Sequence, residues 1–205
     1  MPPKFIYFDL GKVLVDFSVD RMLAQVGAAA GVAPETVRDA LFRDGLMLEH
    51  ESGRLDSRGL YEEFCRSTGK RPDYDAVIAA AAGIFSLNTP MLPLVAQLGQ
   101  TGRPLGILSN TCETHWEYCY ARYRIVAEGF SVYALSYRIG AVKPDAAIFH
   151  AAAELAGHAP EDIFFVDDRP EHVAGAKAAG FDAVQFTTAA ALAGELRQRG
   201  VRFNY

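Results

Sequence analysis

Five side chains of this sequence could share one reaction: Asp9, Ser109, Lys143, Asp167 and Asp168. Asp9 follows the apolar run "FIYF", Ser109 closes "PLGILS", and Asp167 with Asp168 closes "IFFVDD". Lys143, with Pro144, opens a helix after a further candidate strand, "SVYALS". Burying an unpaired ionised carboxylate is strongly unfavourable, so an Asp ending such a run sits at an exposed strand tip or in a polar site. Both hold at once where the carboxyl ends of parallel strands open into a ligand crevice. Carboxylates gathered there repel one another unless a hard cation lies among them, and Mg2+ commonly takes one or two carboxylates together with phosphate oxygens of a substrate. A serine at a helix N-terminus and a lysine suit a phosphate dianion. The set describes phosphoryl transfer with Mg2+ as the implied cofactor.

Such a crevice needs strands that run side by side in one direction. From Thr89 onward the pattern alternates. A helix is capped by Thr89, with Pro90 at its first position, and is followed by the strand "PLGILSN". Then come a helix around Glu113 to Arg124, the strand "SVYALS", a helix from Asp145 to Ala156 and the strand "IFFVDD". A helix around Pro170 to Ala179, the strand "DAVQF" and a last helix complete the series. Strands separated by helices imply right-handed crossovers, hence an α/β fold with a doubly wound parallel sheet. From Ser18 to about Asn88 the periodicity is helical, with Val19, Met22, Leu23 and Val26 on one face and Ser57 as an N-cap ahead of Leu60 and Phe64. No strand signal interrupts that block. It separates the first strand from the others, so residues 17–88 read as a helical cap inserted into a core of residues 1–16 and 89–205.

The chain's gross features narrow the function classes. At 205 residues it can bury one substantial core, and 50% hydrophobic residues with mean hydropathy +0.05 are ordinary for a globular domain. A net charge of −5 with no basic face argues against nucleic acid as partner. Cys65, Cys112 and Cys119 form no CxxC pair, so they read as small reduced residues rather than a disulfide framework or a zinc site. Asp9 breaks the N-terminal apolar run, which does not fit a signal peptide, and the stretch from Ala76 to Phe85 is too short to span a bilayer. A cytoplasmic enzyme acting on a small molecule, away from membranes, is expected.

Four segments, "FIYFDLGKVLVD", "LGILSNT", "AVKPDAAIF" and "IFFVDDRPEHVAGAKAAG", together resemble the signature motifs of the haloacid dehalogenase superfamily, in family order and over the whole chain. The resemblance is to its helical-capped phosphatases with a Rossmann-like core. It implies that Asp9 is the nucleophile, forming an aspartyl phosphate that water later hydrolyses. It implies a metal held by Asp9, by the Gly11 carbonyl and by Asp168, with Asp167 direct or through water. Ser109, assisted by Asn110, would bind the transferring phosphoryl group, and Lys143 would neutralise its charge and keep Asp9 ionised. His172 stands where the family often has Asp or Asn, and reads as a surface histidine.

One departure matters. Most phosphatases of the family carry a second Asp two residues after the nucleophile, to protonate the leaving group and later activate water; here that residue is Gly11. Positioned proton transfer typically contributes about 10² to 10⁴ in rate, so another group must substitute or the substrate must need less help. Without a donor, aryl phosphates and anomeric sugar 1-phosphates are expected to react best. A "DLG" first motif is also similar to that of bacterial sugar-phosphate phosphatases acting on substrates such as glucose 1-phosphate. Two other readings are a metal-independent 2-haloacid dehalogenase, which also lacks the second Asp, and a catalytically weak binding or regulatory module. Adjacent acids facing Asp9 without a cation speak against the dehalogenase. The segment 17–88 holds eight Lys and Arg against eleven Asp and Glu, which points to a small phosphate ester rather than a polyanion. Within it, Glu49, His50, Glu51 and Arg54 lie near a turn from which one or more could reach substrate.

Overall fold

The computed structural model describes residues 2–204. A five-stranded, wholly parallel sheet lies at its centre, built from β1 (Phe5–Phe8), β4 (Leu105–Ser109), β5 (Val132–Leu135), β6 (Ile163–Asp167) and β7 (Asp182–Gln185). The spatial order β5-β4-β1-β6-β7 puts β1 in the middle and reverses direction on either side of it. Phe8 pairs with Ile107 on one side and Val166 on the other, so the residues that follow β1, β4 and β6 emerge together at one edge. That edge is the switch point of a doubly wound sheet, where such folds bind ligands.

Alternation along β1 feeds two cores. Ile6 and Phe8 face a cluster completed by Leu94 and Leu98 of α6 (Met91–Gly99) and by Leu192 and Leu196 of α12 (Ala189–Gln198). Phe5 and Tyr7 face the other side, against Phe149 and Ala152 of α10 (Ala146–Ala156) and Val173 of α11 (Pro170–Ala178). The buried Tyr7 hydroxyl donates to the Ala152 carbonyl (2.9 Å), which satisfies its one polar atom. The expected helix around Glu113 to Arg124 divides into α7 (Glu113–Arg122) and α8 (Arg124–Glu128), with extended backbone at Tyr123 between them.

The helical block comprises α1 (Val19–Ala30), α2 (Pro34–Phe42), α3 (Leu46–Glu51), α4 (Ser57–Thr68) and α5 (Tyr74–Ala82). It has its own core, in which Met22, Leu23, Val37, Phe64 and Val77 are buried. Contrary to expectation, a strand does interrupt the segment: β3 (Phe85–Leu87) pairs antiparallel with β2 (Val15–Phe17), Phe17 opposite Phe85. A three-residue strand is too short to show periodicity in sequence. Asn88 ties this ribbon to the core, donating to the Leu14 carbonyl through its main chain (3.0 Å) and to Val13 through its side chain (2.8 Å). Two caps also differ. Asp56 rather than Ser57 caps α4, accepting from Gly59 N (2.7 Å), and α6 begins at Met91 with Pro90 in the cap position and no side-chain bond there. All three cysteines are buried and in no disulfide. Among the described residues no helix is long and apolar enough to cross a membrane.

Gly106 in β4 sets the spacing of β1 against β4. A Cβ there would lie 2.5 Å from Tyr7 Cε1 and 2.8 Å from Phe5 Cε1, so the two rings occupy the space any other residue would need. Gly106→Ala should therefore destabilise the fold by about 1 to 3 kcal/mol through overpacking, measured by urea unfolding.

Candidate active site

Asp9 follows β1, and its N–H donates to the Val166 carbonyl (2.9 Å), which continues the ladder and holds the residue at the crevice edge. The residue is 7% exposed, and burial above all raises its pKa, to about 6, with Asp167 adding repulsion against the pull of Lys143. Oδ1 accepts from Leu10 N (2.7 Å) and lies 3.0 Å from Lys143 Nζ. Both contacts fall on one oxygen, and Oδ2 has no protein partner among the described residues.

Lys143 is 3% exposed and comes from the loop between α9 (Ser136–Ile139) and α10. Its ammonium donates to Asp167 Oδ2 (2.6 Å) and to the Leu108 carbonyl (2.9 Å) while facing Asp9, which occupies all three of its protons. Asn110 fixes the loop that carries it, accepting from Lys143 N (2.7 Å) and donating to the Lys143 carbonyl (3.0 Å). Asn110 is expected to assist Ser109 at the phosphoryl group; both ends of its side chain are committed to the lysine's main chain. Ser109, at the end of β4, is buried and makes only a long contact, 3.3 Å, to its neighbour's carbonyl.

Asp167 is fully buried and heavily partnered. Burial pushes its pKa up, but hydrogen bonds from His172 and Lys143 outweigh that and bring it to about 2. His172 corrects an expectation: it is 3% exposed, with Nδ1 3.1 Å from both Asp167 oxygens. A carboxylate only accepts, so Nδ1 carries the hydrogen. Helix α11 starts at Pro170 and turns its third residue inward, a placement that the weak amphipathicity of "PEHVAGAKA" does not advertise. Arg169 N donates to Asp167 Oδ1 as well (2.9 Å). Asp168 is half-buried, and its carboxyl is raised first by burial and then by the charge of Asp167. One oxygen from each of Asp9, Asp167 and Asp168 lies within 4.8 Å of the others. Three formal negative charges meet one formal positive charge from Lys143, a deficit of two that a divalent cation matches.

Gly11 borders the same crevice, and its lack of a side chain has a local cause. A Cβ there would sit 2.9 Å from Phe17 Cε1. Phe17 is held in turn by Lys12, whose ammonium donates to the Phe17 carbonyl (2.7 Å) and lies 4.8 Å from the ring centroid. Lys12 adopts a left-handed φ of 59°, which turns the chain so that this contact closes.

Above the crevice is a pocket of about 120 Å3, bordered below by Gly11, Ser109 and Asn110. Its walls are mostly apolar, with Phe17, Met22, Met47 and Phe85, and the titratable groups among its lining are Glu51 and His115. The four polar residues near the end of α3, Glu49, His50, Glu51 and Arg54, separate here. Glu49 and Arg54 form an exposed ion pair (2.7 Å), and His50 is buried with Nδ1 2.8 Å from the Leu55 carbonyl. Of the four, Glu51 is the one that lines this pocket.

Residues 3–180 match the haloacid dehalogenase-like hydrolase family. A HAD family enzyme from Bacteroides thetaiotaomicron, solved in complex with magnesium and inorganic phosphate, is 25% identical, with TM-score 0.77 over 91% of this chain and 95% of that one. A protein described as a predicted HAD-like family hydrolase from Porphyromonas gingivalis is 25% identical, with TM-score 0.80 over 96% and 99% of the two chains. The L-2-haloacid dehalogenase of Xanthobacter autotrophicus, at 20% identity and TM-score 0.65 over 97% and 83%, shares the fold.

Removing one partner of a buried ion pair leaves the other uncompensated. Asp167→Asn should cost about 3 to 5 kcal/mol of stability at neutral pH. The fluorescence of the single tryptophan, Trp116, itself 2% exposed, reports the unfolding.

Proposed function

The chain belongs to the haloacid dehalogenase-like hydrolase family, and we propose that within it the protein is a Mg2+-dependent phosphatase of small phosphorylated metabolites. The observation that carries this reading is the cluster of three carboxylates around one lysine. A dehalogenase that works without metal has no use for the extra acids, whose charge would only oppose the ionisation of Asp9. The magnesium and phosphate bound by the Bacteroides enzyme support the same choice.

Asp9 is the nucleophile. Its Oδ2 attacks phosphorus in line with the leaving oxygen as that P–O bond breaks, and the phosphoryl group becomes an ester of Asp9. Water then attacks phosphorus, the bond to Asp9 breaks, and inorganic phosphate leaves with the carboxylate restored. The Ser109 hydroxyl donates to a non-bridging oxygen, and Lys143 supplies fixed positive charge beside the nucleophile. Asp9, Asp168 and the Gly11 carbonyl would hold Mg2+, which when bound offsets charge on the phosphoryl oxygens. Asp167 already accepts from Lys143, His172 and Arg169, so it positions the lysine, and reaches a metal at most through water. Residues 17–88 act as the cap that closes over the crevice and excludes water.

Within small phosphate esters, the similarity of the first motif to that of bacterial sugar-phosphate phosphatases favours a sugar 1-phosphate. The pocket suits a compact body that lays an apolar face on Phe17 and Phe85 and turns its polar groups to Glu51 and His115. A C–H face of a sugar ring meets that description, as does an aryl group.

Two measurements test the reading. Hydrolysis of 4-nitrophenyl phosphate and of a sugar 1-phosphate panel should require Mg2+ and fall below detection in Asp9→Asn with the fold intact; turnover that survives without metal, or in that variant, sinks it. Calorimetric titration of Mg2+ should show binding to wild type and a loss of at least about tenfold in affinity in Asp168→Asn. Indistinguishable isotherms would remove Asp168 from the metal site.

A further inference from the structure

Gly11 leaves the leaving group without the usual proton donor, and the structure rules out a simple local substitute. The space beside Gly11 is filled by the Phe17 ring, and Asp16, the next acid along the chain, is exposed and 3.9 Å from Lys12 Nζ. A donor must therefore come from across the pocket. The two titratable groups lining it are His115 and Glu51. Burial lowers the pKa of His115, which disfavours its charged form. An imidazole whose charged form is disfavoured is the weaker proton donor of the two, which leaves Glu51.

We propose that Glu51 is the general acid and base of the reaction, taking from the helical layer the role that Gly11 cannot fill. This inference rests on the phosphatase reading above. Glu51 ends α3, and its backbone is anchored to the core at two points. The fully buried Ser136 hydroxyl lies 2.6 Å from the Glu51 carbonyl and 2.9 Å from the Thr111 carbonyl, sharing its one hydrogen, and accepts from Thr111 N at 2.9 Å. Thr111 is two residues beyond Ser109 and lines the same pocket. Gly53 adopts φ +72°, and a Cβ there would lie 2.1 Å from the Tyr137 carbonyl oxygen, so only glycine lets the end of α3 dock this closely. Glu51 thus lines the pocket from a backbone held against the loop that follows β4.

Its surroundings suit both directions of transfer. Burial raises the pKa of Glu51, while His115 of α7, Arg169 just before α11, His172 of α11 and Lys143 draw it back down. A carboxyl raised in this direction stays protonated to higher pH than a free one, and its carboxylate is the stronger base. In the first step the protonated carboxyl gives its hydrogen to the leaving oxygen as the P–O bond breaks, and the product departs as a neutral alcohol. In the second, the Glu51 carboxylate takes a proton from the attacking water as that oxygen bonds to phosphorus and Asp9 is released. The acid is then regenerated.

The test is kcat/KM over phosphate esters of graded leaving-group pKa, for wild type, Glu51→Gln, Glu51→Asp and His115→Asn. For wild type a shallow dependence is expected. Glu51→Gln should lose roughly 10² to 10⁴-fold on alkyl phosphates and less than about tenfold on 4-nitrophenyl phosphate, whose leaving group needs no proton. Its 4-nitrophenolate release should show a burst, because attack by water is slowed. Wild-type kcat/KM on an alkyl ester should fall as pH rises through the Glu51 pKa, and that limb should vanish in Glu51→Gln. Glu51→Asp, which keeps an acid on a shorter stem, should recover part of the loss. Equal losses on all esters would make Glu51 structural, and a leaving-group-dependent loss in His115→Asn but not in Glu51→Gln would move the role to His115; either result overturns the proposal. Failure of wild type to hydrolyse even 4-nitrophenyl phosphate with Mg2+ would be a different result, overturning the phosphatase reading itself and this inference with it.

Discussion

The ammonium of Lys143 is the point on which the site depends. It is buried at the carboxyl edge of the sheet, 2.6 Å from Asp167 and 3.0 Å from Asp9, with the Leu108 carbonyl completing its coordination. A buried cation is tolerable only when fully partnered, and here the partners come from three adjacent strands. The order β4-β1-β6 is therefore an electrostatic requirement as well as a packing solution. Asn110 reaches across to clamp the lysine's main chain, and His172 reaches up from α11 to hold Asp167.

The lysine also gives one residue type three different behaviours. Asp167, saturated with donors, is held ionised far below the usual carboxylate range. Asp9, also buried but with fewer donors than Asp167 on the shared ammonium, is pushed above that range. Asp168, with neither contact, is raised by its neighbour's charge as well as by burial. The acid that is fully bonded stabilises the framework, and the under-bonded pair keeps lone pairs for a cation and for phosphorus. This division explains why two adjacent acids are not redundant.

Much of this was legible in the sequence because strand tips are marked by polarity. Asp9, Ser109 and the Asp167–Asp168 pair each end an apolar run, and those runs alone suggest that their ends converge. What stayed hidden depends on tertiary direction. His172 lies on a short helix of weak amphipathicity, where one inward turn is invisible to periodicity. Strand β3 has three residues and owes its existence to pairing with β2. Asn110 could be placed beside Ser109, but its commitment to Lys143 needs a partner 33 residues away. Glu51 stood among four polar neighbours of similar character, and only the docking of α3 distinguishes it. Gly11 could be read as an absence, whereas the Phe17 ring that explains it arrives from the far side of a turn set by Lys12.

The nucleophile, the lysine and the metal-binding acids all belong to the sheet, which is rigid and satisfied by its own ladders. With Glu51 as donor, the proton comes instead from the helical layer, and its transfer is conditional on that layer being docked through Ser136 and Gly53. The layer holds at other places too: Ser57 pairs with Thr114 at 2.8 Å, and the Tyr123 hydroxyl donates to the Phe85 carbonyl at 2.8 Å. These bonds attach the layer to the loop after β4 and to the helices beyond it, the elements that present Ser109 and the pocket wall. A side chain two residues after the nucleophile would supply a proton whether or not the layer was closed. Moving the acid to α3 makes protonation of the leaving group coincide with exclusion of water, because the same docking accomplishes both.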